Sequence, residues 1–109
     1  MDFFCGQILS GKIPVETLYD SYRVLAFRPP QPMWQEHIIV VSKKHIDSLT
    51  AAARADEKIL VELLGIVARL AREVEDQWGG CHISTETGDQ QIIPHLHFVI
   101  RAGEATPDQ

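Results

Sequence analysis

Pro94-His95-Leu96-His97-Phe98-Val99-Ile100-Arg101 is a run in which every second residue is bulky and apolar. Side chains of a strand point alternately to its two faces, so Leu96, Phe98 and Ile100 pack on a core while His95, His97 and Val99 share the opposite face. His95 to Arg101 therefore reads as a strand buried on one side, and the partner that buries it lies earlier in the chain. From Asp56 to Trp78 the apolar period lengthens from two to between three and four. Leu60, Leu63, Leu64, Val67, Leu70, Ala71, Val74 and Trp78 form one stripe, with Glu57, Lys58, Glu62, Arg69, Arg72, Glu73 and Glu75 largely outside it. Asp56 suits the N-cap and Gly79-Gly80 the stop of this helix.

Working outward, Phe4 to Ser10 has Phe4, Ile8 and Leu9 at roughly helical spacing before Gly11 and Pro14 end it. Glu16 to Tyr19 and Tyr22 to Phe27 are short strands joined at Asp20-Ser21. Arg28-Pro29-Pro30-Gln31-Pro32 cannot donate a continuous ladder and reads as loop. His37 to Val41 is β-branched and apolar, as a central strand requires. Cys81 to Thr85 reads as a further strand, separated from the last by a turn containing Gly88. Hairpins plus one long helix define an α+β fold, an antiparallel sheet with the helix on one face. No repeat or linker divides the chain, so residues 1–109 are expected to form one domain, with 104–109 as a flexible tail.

The formal net charge of −5 argues against a duplex nucleic-acid binder, which needs many Lys and Arg contacts to phosphate. A small phosphorylated ligand needs only a few donors and stays open. Cys5 and Cys81 are the only cysteines, too few for a disulfide framework or a four-cysteine zinc cluster. No basic, apolar leader opens the chain, and no window reaches the ~18 apolar residues of a membrane span. A cytoplasmic protein with no membrane partner is expected.

His95 and His97 place two imidazoles about 6–7 Å apart along one strand face. Imidazole changes charge near neutral pH, which suits nucleophilic or proton-transfer work. Spacing leaves three readings open: bystanders satisfied by hydrogen bonds, two ligands of a metal, or a metal-free catalytic pair. A metal would draw a third ligand from His37, His82 or a carboxylate.

Pro94-His95-Leu96-His97-Phe98-Val99-Ile100 resembles the His-x-His-x-His signature of the histidine triad (HIT) superfamily. Phe4 to Pro14 resembles the opening segment of that family, Val24 to Phe27 the strand that follows, and His37 to Leu49 its H-x-LVIPKKHI stretch. The likeness is strongest to the Hint-like branch, which acts on nucleoside 5′-phosphoramidates and related nucleotide conjugates. It implies an antiparallel sheet of about five strands, a homodimer, no cofactor, and a nucleotide partner such as a purine mononucleotide or its conjugate. Gln91 stands four residues before His95, as the family's Gln does before its first triad histidine, so His97 takes the central position. The resemblance then assigns His97 as the nucleophile that forms a nucleotidyl intermediate, with His95 and His37 orienting it. Gln91 falls on the phosphate loop, and Ser84, Phe27, Ile92 and Val99 fall at ligand-contacting positions. His45 matches the KKH of the family, but a place at a helix start explains it better.

Four departures accompany these matches. Val99 stands in place of the third triad histidine, and loss of one charge-stabilising donor costs ~10²–10³ in rate. Pro29 replaces the acidic residue that binds ribose, Ser84 an Asn, and Ile92 a Ser. Altered or weakened function, down to a non-catalytic binding protein, is the alternative they imply. Some bacterial relatives hold structural zinc through a Cys-x-x-Cys near the N-terminus. Here Cys5 is the second position but Asp2 the first, so no metal is expected.

Overall fold

The structure, a computed structural model, describes residues 2–107. Five strands form one antiparallel sheet: β1 (Glu16–Asp20), β2 (Val24–Arg28), β3 (Trp34–Ser42), β4 (His82–Ser84) and β5 (His97–Ala105), in the order β1-β2-β3-β5-β4. A single long helix, α1 (Glu57–Trp78), covers one face, and a short N-terminal turn wound as a π-helix (Phe4–Ile8) covers part of the other. The α+β architecture follows the two periods of the sequence.

The stripe of α1 buries Leu63, Ile66, Val67, Leu70, Ala71 and Val74 against Val24, Ala26, Ile38, Val40, Phe98, Ile100 and Ala102. Burial of each larger side chain contributes about 1.5–3 kcal/mol relative to exposure. Two stripe positions differ from expectation: Leu64 and Trp78 are 49% and 37% exposed, and Ile66 takes the inward place. At 3.6 residues per turn Leu64 falls on the flank of the stripe centred on Leu63, Val67, Leu70 and Val74, Ile66 falls closer to that centre, and Trp78 is the last residue of the helix. Asp56 does precede α1, but its carboxylate turns back, accepting the Ala53 N–H at 2.9 Å and pairing with Lys44 at 2.6 Å. Gly79, at φ 84°, ends the helix with its N–H on the Glu75 carbonyl.

The strand limits also shift. Tyr22 and Arg23 lie in the β1–β2 turn, where the Ser21 hydroxyl accepts the N–H groups of Arg23 and Val24. Arg28, expected in loop, is the last residue of β2 and bridges Glu16 and Glu36. β5 starts at His97 rather than His95, because the His95 and Leu96 N–H groups bond to Ile93 and Ile46 carbonyls instead of joining the ladder. Its far end corrects the expected tail: Glu104 and Ala105 finish the strand, and Thr106 bonds through N–H to Met33 and through its hydroxyl to Pro32. Residues 108 and 109 of that expected tail lie outside the described residues.

Candidate active site

The face of the sheet opposite α1 carries His97, Val99 and Arg101 on β5, with Val41, Ile39 and His37 directly across on β3. Across on β4, Ser84 stands beside Val99 and His82 beside Arg101. Leu25, Phe27 and Val41 are sealed by Phe4 and Ile8 of the N-terminal turn. The half-buried ring of His97 emerges where this cover stops.

His97 is held by a short local contact. Its Nδ1–H donates to the His95 carbonyl at 2.6 Å, which leaves the Nε2 lone pair free. The Phe4 ring meets both imidazoles edge-on, 4.9 Å from His97 and 5.6 Å from His95 between centroids. The Thr85 hydroxyl donates to the His97 carbonyl at 2.7 Å and tacks the end of β4 to the start of β5. An imidazole with one nitrogen locked as donor and the other free can act as a nucleophile or base.

His95 is fully buried, and its ring lies in a second cluster. Its Nε2–H donates to the Ser42 carbonyl at 2.6 Å, while Nδ1 faces the Asp2 carboxylate at 3.0 Å and Cys5 Sγ at 3.5 Å. His45 joins from the loop after β3. Its Nε2 bonds Asp47 at 2.7 Å, and its Nδ1 faces the same Asp2 oxygen at 2.6 Å. Burial opposes the charge on Asp2, but the Cys5 N–H and the His95 ring hold its carboxyl well below the usual carboxylate range. Asp47 and Asp2 pull the His45 imidazole up, and burial beside an acidic neighbour pushes the Cys5 thiol up.

The expected site residues divide accordingly. His97, Val99 and Ser84 share one face of the sheet, while the His95 ring turns into the Asp2–Cys5–His45 cluster and meets His97 only through the Phe4 ring between them. His37 does not join them: it lies opposite Arg101, four positions and about 13 Å along the strand from the residue facing His97. There Nδ1 accepts the Met33 N–H, the ring meets Trp34 edge-on at 5.1 Å, and burial pushes its pKa down. It cannot orient His97 directly. Phe27 is 1% exposed beneath Phe4, a floor without an open face, and Ile92 is 97% exposed. Gln91 donates from its side-chain amide to the Asp47 carbonyl at 2.8 Å, tying the 88–93 loop to the loop carrying His45.

His45 is neither at a helix start nor idle. Of the two histidines of the strand, only His95 joins the close donor group among the described residues, with Asp2, Cys5 and His45 rather than with His97. Asp2, Phe4 and Asp47 are the neighbours that the sequence reading passed over. In the sequence Phe4 is one apolar letter of a helical pattern, and Asp2 stands in the place of a cysteine. The Asp2-x-x-Cys5 spacing, equal to that of a Cys-x-x-Cys, was the available signal.

The fold and the paired imidazoles define a histidine triad protein. Residues 10–104 match the HIT domain, and the chain belongs to that family. It is 33% identical over 107 residues to the "14 kDa zinc-binding protein" of Brassica juncea, covering 94% of this chain and 93% of that one. Among solved structures it resembles a histidine triad protein from Clostridium difficile, at 34% identity and a TM-score of 0.76 over 98% of this chain and 94% of that one. A HIT family hydrolase from Legionella pneumophila is similar at 26% identity and a TM-score of 0.75, over 93% and 91% of the two chains.

Proposed function

We propose that this protein is a nucleotide hydrolase or transferase that works at the α-phosphate of a nucleoside phosphoramidate or related conjugate through His97. The observation that carries this reading is the 2.6 Å bond from His97 Nδ1–H to the His95 carbonyl, which presents Nε2 as a nucleophile on a half-open face. Likeness to a protein named as a HIT family hydrolase supports the reaction class.

In the first step the Nε2 lone pair bonds to the α-phosphorus, and the bond to the leaving group breaks with its electron pair. The leaving group takes a proton as it departs. Water then attacks the phosphorus, the phosphorus–nitrogen bond returns its pair to the ring, and the water proton passes to solvent. Splitting one displacement into two is covalent catalysis. The family resemblance assigns Gln91 to the phosphate, which requires its amide to leave the Asp47 carbonyl, and Ser84 offers a hydroxyl in the row of Val99. The ligand is a purine mononucleotide or its conjugate, bound without a cofactor in a cytoplasmic homodimer. The open edge of β4, with Ile83 half exposed, is the place for sheet pairing in such a dimer. Light scattering that returns a 12.3 kDa species contradicts the dimer.

The test is incubation with adenosine 5′-phosphoramidate. Turnover above a His97→Ala control, with a nucleotidyl adduct seen by mass spectrometry, is the expected result; neither one sinks the reading. A second reading, a binding protein without efficient chemistry, is favoured by Val99, which puts an apolar side chain between Ser84 and Ile39 where a donor is needed. Calorimetric binding of AMP or GMP without turnover selects it.

A further inference from the structure

We infer that Arg101, stacked on Trp34, determines which leaving group this site takes: an apolar linker that ends in an oxyanion, carboxylate or phosphate. The inference rests on the reaction proposed at His97 and names the class of conjugate that reaction favours.

His97, Val99 and Arg101 follow one another on one face of β5, with Ile39 across from Val99 and His37 across from Arg101. Phe4 and Ile8 cover the β2 side of that face, so an elongated ligand at His97 runs the other way, over Val99. Val99, Ile39 and Arg101 are half-buried and His82, beside Arg101 on β4, is exposed, which leaves the row open along its length. Arg101 lies about 13 Å along the strand from His97. The interval between nucleophile and cation is apolar, because Val99 and Ile39 face each other across it.

The charge on Arg101 has no partner on that face. The chain carries 15 acidic against 10 basic side chains, and Arg23, Arg28, Lys43, Lys44 and Arg72 each pair with an acid. Among the described residues Arg101 makes no ion pair, and the positions facing it on β3 and β4 are both histidines. In so acidic a chain an uncompensated guanidinium beside a reaction centre selects for charge in the ligand. A neutral nucleoside leaves that charge as it is, whereas an oxyanion neutralises it through charge-assisted hydrogen bonds.

The guanidinium is also held in place. It lies over the Trp34 ring, 4.6 Å from the centroid. Strict alternation would turn Trp34 to the α1 face with Glu36, but the ladder is irregular between these two residues. The indole therefore reaches the open face, where it meets the His37 ring edge-on at 5.1 Å. The Met33 N–H on His37 Nδ1 fixes this corner. His37, which does not reach His97, thus positions Trp34 and through it Arg101. A stacked guanidinium keeps its in-plane N–H donors free, in the fork that matches a carboxylate or a phosphate.

The test uses adenosine 5′-phosphoramidates whose leaving amines have equal length: an alkylamine, an ω-aminocarboxylate, an ω-aminoalkyl phosphate and a diamine. Their kcat/KM values give one readout. Calorimetric titration of the His97→Ala protein with the same compounds gives another that needs no turnover. At physiological ionic strength the anionic conjugates should be favoured over the alkylamine by at least about tenfold, and the better of the two identifies carboxylate or phosphate. Arg101→Gln should bring that ratio near one. Arg101→Glu should turn the preference toward the diamine, which a merely structural role for Arg101 does not predict. Equal affinity for charged and uncharged conjugates, or a preference that survives Arg101→Gln, overturns the inference and leaves the reaction at His97 standing. Preferential binding of the anionic conjugates without turnover in the natural protein does the reverse. Binding of none of them overturns both.

Discussion

The carbonyl oxygen of His95 accepts the Nδ1–H of His97 at 2.6 Å, so the backbone of one histidine sets the tautomer of the other. The side chain of His95 faces elsewhere, into the Asp2–Cys5–His45 cluster. Substituting it leaves the carbonyl in place but unties the segment that carries it. His95→Ala is therefore expected to lower kcat and stability together, whereas His97→Ala abolishes turnover with little change in the urea midpoint. Steady-state rates and urea titrations of the two variants separate these effects.

Val99 lies two residues beyond His97 on the same face, between Ile39 and Ser84. Val99→His restores an imidazole donor at that point. Since one such donor is worth ~10²–10³ in rate, a gain of at least about tenfold in kcat is expected on a phosphoramidate. An unchanged rate assigns the loss to another position.

Phe4 is 1% exposed and touches Phe27, His95 and His97. Phe4→Ala should cost about 3–5 kcal/mol by cavity formation and loosen both imidazoles. Urea unfolding measures the first effect, and a fall in kcat at temperatures where the variant stays folded measures the second.

His37 is buried beside Trp34, and its pKa is lowered by burial. The unfolded chain then binds the proton more readily than the folded one, so stability falls as pH drops below about 6.5. His37→Gln, which keeps an acceptor for the Met33 N–H, should flatten this decline. Urea midpoints at neutral and mildly acidic pH, compared between the two proteins, check it.

Gly103 adopts φ 77°, and a Cβ there would stand 2.5 Å from Gln35 Oε1 and 2.9 Å from the Trp78 ring. Gly103→Ala is expected to cost about 1–3 kcal/mol. Gly65, on an exposed turn of α1 with nothing within 4 Å of its Cβ position, gives the opposite sign: Gly65→Ala should gain about 0.5–1 kcal/mol. Thermal denaturation of both resolves the pair.

The secondary elements were legible because each reports its own period. Leu96, Phe98 and Ile100 alternate, and Leu63, Val67, Leu70 and Val74 recur at helical spacing, whatever lies across from them. The ends were less legible. Whether His95 or His97 opens β5 depends on where the His95 and Leu96 N–H groups go, and their acceptors, Ile93 and Ile46, belong to loops that no period describes.

The sites divide along the same line. Local order along the chain put His97 on a strand face, and the carbonyl that holds its ring lies only two residues away. Which histidines stand together was decided by strand register and by the path of the N-terminal turn. Register sends His37 to Arg101 and away from His97. The turn brings Asp2 and Cys5 against His45 and His95, across 40 to 93 residues of sequence. Convergence over such separations is a property of packing, because only burial of Phe4 and Ile8 on the sheet holds that turn where its carboxylate and thiol meet the two imidazoles.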